Sequence, residues 1–283
     1  MHYLLLAICS SSLIAVVMRI SETKVRNNIS ELAVNYALCL ALGIMYTLNG
    51  SGIPGASLHA VTGSNTIVLG LISGAFYVGS FLLYQYNIRR NGVVLPATFM
   101  KLGVLIPVIL AIIAFGEKPG AMQIAGIILA LSAIVILNNT SGEGDVVTSP
   151  RALLLLVLIG GSGDAMSKIY EELGDPAFKS HYLMFTFVSA LALCALAALM
   201  RGQKLSREDI LYGCLIGIPN YYSARFLLLS LSYIPAATAY PTFSVGTILL
   251  VSAAGVLIFR EKMDKRQWLA VILIITALIL LNV

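Results

Sequence analysis

Glu117-Lys118-Pro119-Gly120-Ala121-Met122-Gln123 returns near the end of the chain as Glu261-Lys262-Met263-Asp264-Lys265-Arg266-Gln267, with Glu, Lys and Gln in the same places at an offset of 144 residues. At that offset Thr98-Phe99 meets Thr242-Phe243, and Asn138 meets Asn282. Farther upstream, Gly70 and Gly74 meet Gly213 and Gly217 with the offset slipped to 143. One coincidence between apolar segments is chance; several in one register are an internal repeat.

What surrounds the repeated motif is apolar. Fifty-nine per cent of the 283 residues are hydrophobic and 11% are charged, against roughly 25% charged in soluble domains. The apolar residues fall in long runs, and a helix needs roughly 20 of them to cross a hydrocarbon core. Ten candidate spans follow: 3–18, 31–48, 65–86, 93–115, 121–138, 151–169, 181–200, 210–232, 237–259 and 266–282. In lipid the backbone must satisfy its own polar groups, so runs of this length are helices. The alternation of a membrane barrel is absent. Residues 3–18 lack a basic leader and are followed by Arg19, Lys24 and Arg26, so they read as the first span rather than a signal peptide. The expected fold is therefore an all-α integral membrane protein of ten transmembrane helices. Residues 1–138 form the first five-helix repeat, 139–150 a polar linker and 151–283 the second repeat.

Charge in the loops orients the bundle. Lys and Arg gather after spans one, three, seven and nine: Arg19, Lys24 and Arg26; Arg89 and Arg90; Arg201, Lys204 and Arg207; Arg260, Lys262, Lys265 and Arg266. Residues 49–64 carry none. Cytoplasmic loops attract Lys and Arg, so both termini are expected on the extracytoplasmic side of the cell membrane. Five spans per half is an odd number, which inverts the second half relative to the first. The loop after span six, with Glu171, Glu172 and Asp175, is accordingly acidic where its counterpart after span one is basic. Inverted repeats of this kind commonly build transporters with a site near the midplane. The net charge of +5 is topological, and no aromatic-interleaved basic patch points to nucleic acid.

With these features in place the chain resembles the drug/metabolite transporter superfamily, in its EamA-like branch. The resemblance rests on two Pro-to-Glu-to-Gln segments, Pro96 through Gly116-Glu117 to Gln123 and Pro241 through Arg260-Glu261 to Gln267. It also rests on first spans that are polar or Gly-rich and end in a base: Ser10-Ser11-Ser12 to Arg19, and Gly160-Gly161-Ser162-Gly163 to Lys168. The resemblance implies a carrier of small metabolites, often an exporter, working by alternating access. Two departures stand out. Many relatives keep both termini in the cytoplasm, and the small multidrug pumps carry a Glu in the first span. Spans one and six here have only Asp164.

Ionisable side chains inside a membrane mark function by default. Lys101, Asp164 and Arg225 stand well inside spans. In the repeat Lys101 faces Val245, Arg225 faces Phe81 and Asp164 faces Ala15, so the shared architecture does not require these charges. Their sum is one positive charge, which suits a substrate with a carboxylate or phosphate, such as an amino acid or organic acid. Arg225 is the expected anion anchor because its planar fork binds a carboxylate through two hydrogen bonds. Asp164 would hold an ammonium group or a coupling proton; alternatively it pairs with Lys168 one turn on. Asn220, Tyr221 and Tyr222 follow Pro219, where a missing N–H suggests a broken span. Tyr77 aligns with Tyr221, and Tyr240 precedes Pro241. No nucleotide-hydrolysis or zinc motif appears, and no cofactor is expected. The expected partners are a small-molecule substrate, the lipid bilayer, a coupling proton or counter-substrate and, as a dimer, a second copy of the chain. The competing reading is an intramembrane enzyme acting on a lipid-linked substrate with Asp164 as general acid or base.

Overall fold

A computed structural model describes residues 1–21, 24–25, 28–50, 61, 65–91, 99–100, 102–138, 150–202, 205–258 and 265–282. Lys101, Thr98 and Glu261 lie outside these residues, as does most of the linker. The described residues hold helices and no strand. In chain order the helices are α1 (His2–Ser21), α2 (Asn28–Gly50), α3 (Thr66–Asn91), α4 (Leu105–Ile113), α5 (Ala121–Asn138), α6 (Pro150–Leu173), α7 (Lys179–Met200), α8 (Arg207–Leu231), α9 (Ala236–Leu257) and α10 (Lys265–Leu281). A 3₁₀ turn, Pro176–Phe178, precedes α7. Among the described residues, α1, α2, α3, α6, α7 with its preceding turn, and α9 are long and apolar enough to cross a membrane; α5 and α10 are apolar but shorter. Large apolar side chains such as Leu48, Ile113, Met200 and Leu257 are more than three-quarters exposed, as lipid-facing residues are.

The chain divides into two compact units. The first comprises Met1–Val78 and Ile169–Ser232, the second Gly79–Lys168 and Tyr233–Val283. Each takes residues from both halves of the sequence, and the division passes through α3 and α6.

In the first unit α8 packs against α1 and α2, and α2 against α7. Glycines set the closest approaches. A Cβ on Gly70 would stand 2.8 Å from the Tyr182 carbonyl oxygen of α7, and one on Gly74 only 2.2 Å from that of Thr186. On the other seam, a Cβ on Gly213 would stand 2.7 Å from the Glu31 carbonyl oxygen of α2, and one on Gly217 3.0 Å from that of Asn35. Both seams run parallel, with the same four-residue spacing on each partner. Small residues let the backbones touch where a side chain would hold them apart.

In the second unit Ala130, Ala133, Ile134, Val245, Ile248, Ile274 and Ala277, from α5, α9 and α10, form the apolar core. α4 starts late for a reason legible in its first turn. Pro107 has no N–H for the Gly103 carbonyl, which takes that of Ile106 instead at 2.9 Å, one residue short of the α-helical reach. The break in a span therefore lies here, in span four. The break suggested at Pro219 is not present: α8 runs unbroken from Arg207 to Leu231 with Pro219 inside it, and α9 likewise carries Pro241.

Candidate functional site

In the first unit Arg225 sits two turns beyond Pro219 on α8 and is half-buried. Its guanidinium carbon lies 4.2 Å from the centroid of the Tyr46 ring, and Nη1 donates to Ser180 Oγ at 3.0 Å. Neither partner is a carboxylate, and no ion pair of Arg225 occurs among the described residues. Tyr46 is the hub of this cluster. Its ring stacks on Tyr221 with centroids 5.6 Å apart, and its hydroxyl meets that of Tyr222 at 3.0 Å. Tyr222 stacks on Phe226, and Phe226 on Tyr3. Tyr221 is fully buried and its hydroxyl has no hydrogen-bond partner. A buried hydroxyl left unsatisfied costs about 1–3 kcal/mol, so this atom is a donor in want of an acceptor beside a cation in want of an anion.

Asn220 points elsewhere on α8. Its amide donates to Asn35 Oδ1 at 3.1 Å, and Cys39 Sγ contacts the same oxygen at 3.5 Å and the Gly217 carbonyl at 3.3 Å. These bonds tie α8 to α2 and leave Asn220 committed to the seam. Tyr77, on the part of α3 that belongs to this unit, is half-buried.

The second unit contains Asp164 and Tyr240. The Tyr240 hydroxyl donates to the backbone carbonyl of Asp164 at 2.6 Å and so ties α9 to α6. Lys168, one turn on, is buried and pairs with Glu117 at 2.8 Å; its ammonium also lies 5.6 Å from the Phe115 ring centroid. Glu117 does a second job. Its two oxygens accept the Ala236 and Ala237 N–H groups, at 2.9 and 2.8 Å, and so cap the first turn of α9. Gly116, with φ of +68°, makes the turn that aims Glu117 there, and the Glu117 N–H closes back on the Ala111 carbonyl at 3.0 Å. Burial alone would raise the Glu117 carboxyl, but the two backbone N–H groups and the Lys168 ammonium outweigh it and hold it below its ordinary value of 4.5. A small cavity in this unit, lined by Val108, Ile134, Pro241 and Val245 among others, is apolar and contains none of the named charges.

Sequence reasoning singled out Arg225 but missed Tyr46 and Ser180, neither of which is charged or has a partner in the repeat. It marked Glu117 as a motif residue without its role as a cap.

Long apolar helices in this number define a multi-pass membrane protein. Residues 151–283 match the EamA-like transporter family. The second half of the chain thus belongs to that family, as its resemblance implies, and the protein is a membrane transporter. It is similar over 98% of its length to an uncharacterized protein of Haemophilus influenzae, at 22% identity and 96% of that protein's length. Over 36% of the chain it is 28% identical to a probable 4-amino-4-deoxy-L-arabinose-phosphoundecaprenol flippase subunit, ArnE, of Hamiltonella defensa, covering 96% of it. A further 36% match, at 26% identity, is to the multidrug resistance protein EbrA of Bacillus licheniformis, covering 92% of it. A solved crystal structure shares the fold with a TM-score of 0.75 at 17% identity, over 98% of this chain and 94% of that one.

Proposed function

We propose that this protein is a secondary carrier that exports a small metabolite bearing a carboxylate or phosphate, by alternating access across the cell membrane. The observation that carries the reading is Arg225: a half-buried cation on α8, held by the Tyr46 ring and the Ser180 hydroxyl rather than by a counter-charge, beside the unpartnered hydroxyl of Tyr221. An incoming carboxylate or phosphate supplies the missing charge to the first and the missing acceptor to the second. Tyr222 borders the same cluster. Lys101 and Asp164 extend the reading as further recognition residues, because the repeat places an apolar residue opposite each.

The carrier reading includes ten spans in two inverted five-helix repeats. What supports this is the pair of glycine seams. Gly70 and Gly74 correspond to Gly213 and Gly217, and their contacts, the carbonyls of Tyr182 and Thr186 against those of Glu31 and Asn35, correspond at one constant shift. The flippase in one relative's name and the multidrug resistance in another's are in keeping with a membrane transporter.

The test is flux into proteoliposomes with a panel of amino acids, organic acids and phosphorylated metabolites. Saturable counterflow of an anionic or zwitterionic substrate is expected, and Arg225→Ala abolishes it while the protein remains folded. Normal transport of that substrate by Arg225→Ala sinks the anion-anchor reading, and covalent conversion of a lipid without flux sinks the carrier.

A further inference from the structure

α7 and α8 each pack along α2 and touch one another far less. What crosses between them toward one end is polar and comes in two levels. At the deeper level Arg225 of α8 donates to Ser180 of α7. At the helix ends the direction reverses: the Lys179 ammonium, in the first turn of α7, donates to the hydroxyl of Ser232, which follows the last residue of α8. Ser232 stands seven residues beyond Arg225, two turns along the same face of α8 and about 10 Å nearer the helix end.

The level at the helix ends also holds a carboxylate. Glu171, in the last turn of α6, pairs with Lys179 at 2.7 Å and accepts the Ser232 hydroxyl at 3.3 Å. The three side chains close a triangle across the ends of α6, α7 and α8, and the two ions are 14% and 16% exposed, shielded but within reach of water. The corner between α6 and α7 has bonds of its own. The Tyr170 hydroxyl donates to the Asp175 carbonyl at 2.8 Å, and the Asp175 carboxylate accepts the Ala177 N–H at 2.9 Å. What the triangle adds to that corner is the link to α8.

The two levels have the same make-up: a cation from one helix beside a serine hydroxyl of the other. At the helix ends that combination holds a carboxylate, and the carboxylate is the chain's own. A substrate carboxylate or phosphate offers the same acceptor atoms. We propose that Lys179 and Ser232 are a second station for the anion that Arg225 binds, between Arg225 and water, and that Glu171 is its gate. The Glu171 carboxylate occupies the station and closes the gap between α7 and α8 until a mobile anion displaces it. Exchange of one anion for another leaves the ammonium paired throughout, which spares the cost of stranding a half-buried charge. The inference rests on the reading of Arg225 as an anion anchor and adds the residues that admit the anion to it.

Leu229, half-buried on the same face of α8, lies one turn from Arg225 and one turn from Ser232, so it reports on the passage between the two stations. Leu229→Cys places a thiol there in the whole protein in lipid nanodiscs. Its labelling by an anionic and by a cationic methanethiosulfonate is corrected for the native cysteines with protein lacking the substitution. Adding Glu171→Gln should speed labelling by the anionic reagent about fivefold and favour it over the cationic one, because Lys179 then attracts it. Adding Lys179→Met should open the passage to both reagents and remove that preference. A second readout needs neither gate variant to fold: raising the salt concentration should speed labelling of the Leu229→Cys protein by an uncharged reagent, since screening weakens the pair. Labelling indifferent to salt overturns the gate, and Glu171→Gln without a preference for the anionic reagent overturns the station. The Arg225 reading fails separately, in proteoliposome flux: normal transport by Arg225→Ala removes the anchor whatever the labelling shows.

Discussion

A half-buried arginine is held by whatever surrounds its guanidinium, and around Arg225 that is a ring and a hydroxyl. A cation over an aromatic face is worth about 0.5–2 kcal/mol, more when desolvated. Tyr46→Ala should therefore weaken substrate affinity and lower thermal stability together, whereas Tyr46→Phe keeps the ring and loses only the hydroxyl contact to Tyr222, about 1 kcal/mol. Equal effects of the two variants in counterflow and melting would remove the ring from the site. Glu117 makes a pH prediction. Its carboxyl is held below 4.5, so the stability that it contributes is complete above 4.5 and is lost as pH falls through its lower folded-state value. Melting curves taken from neutral to acid pH should show this loss, and Glu117→Gln should flatten it. Glu117→Ala should cost about 3–5 kcal/mol, because it strands the buried Lys168 charge. At this scale the sequence was half legible. A charge in an apolar run announces itself, as Arg225 does. Its aromatic partner does not, since Tyr46 comes from a different helix 176 residues before Tyr222 and looks like any packing tyrosine. The role of Glu117 was hidden in the same way, its capped N–H groups lying 119 and 120 residues later.

Between elements, glycine decides which helices touch. A methyl on Gly74 would sit 2.2 Å from a backbone oxygen, which cannot rotate away, so α3 and α7 would have to part. Gly160 is a useful contrast: its nearest neighbour would be the Ser80 Cβ at 3.8 Å, an ordinary contact. Both glycines are inside helices, where Ala is favoured over Gly by about 1 kcal/mol. Gly160→Ala is therefore expected to raise the melting temperature and Gly74→Ala to lower it, overpacking costing about 1–3 kcal/mol. A stabilised Gly74→Ala would mean that the seam is looser than its backbone distances. The small-residue motifs were readable because their spacing is the spacing of a helix face. The break in span four was not, and attention fell on Pro219 instead. A proline in mid-helix removes one hydrogen bond, which the neighbouring helix can tolerate. Pro107 matters more because it stands in the first turn of α4, where its missing N–H leaves the Gly103 carbonyl to bond Ile106 and the helix to restart.

For the molecule as a whole, the two glycine seams and the loop charges bear on the same question. The parallel seam of α8 against α2 brings the start of α2, which follows Arg19 and Lys24, level with the start of α8, which follows Arg201. The first and seventh loops therefore lie at one end of the first unit, and both are basic. A statistical charge rule could have assigned them to the same side by accident; the packing of Gly213 on Glu31 does so by contact. Which membrane face that end occupies depends on the rule alone: Lys and Arg are retained in the cytoplasm. We expect a reporter fused after Val283 to signal from the extracytoplasmic side, and one inserted after Arg201 from the cytoplasm. Opposite signals from the two reporters are required whatever the absolute orientation, because an odd number of proposed spans, three, separates them. Equal signals would therefore break the ten-span arrangement itself. A clean exchange of the two signals would keep the arrangement and reverse the protein in the membrane, to the orientation that the resemblance to EamA-like carriers implies.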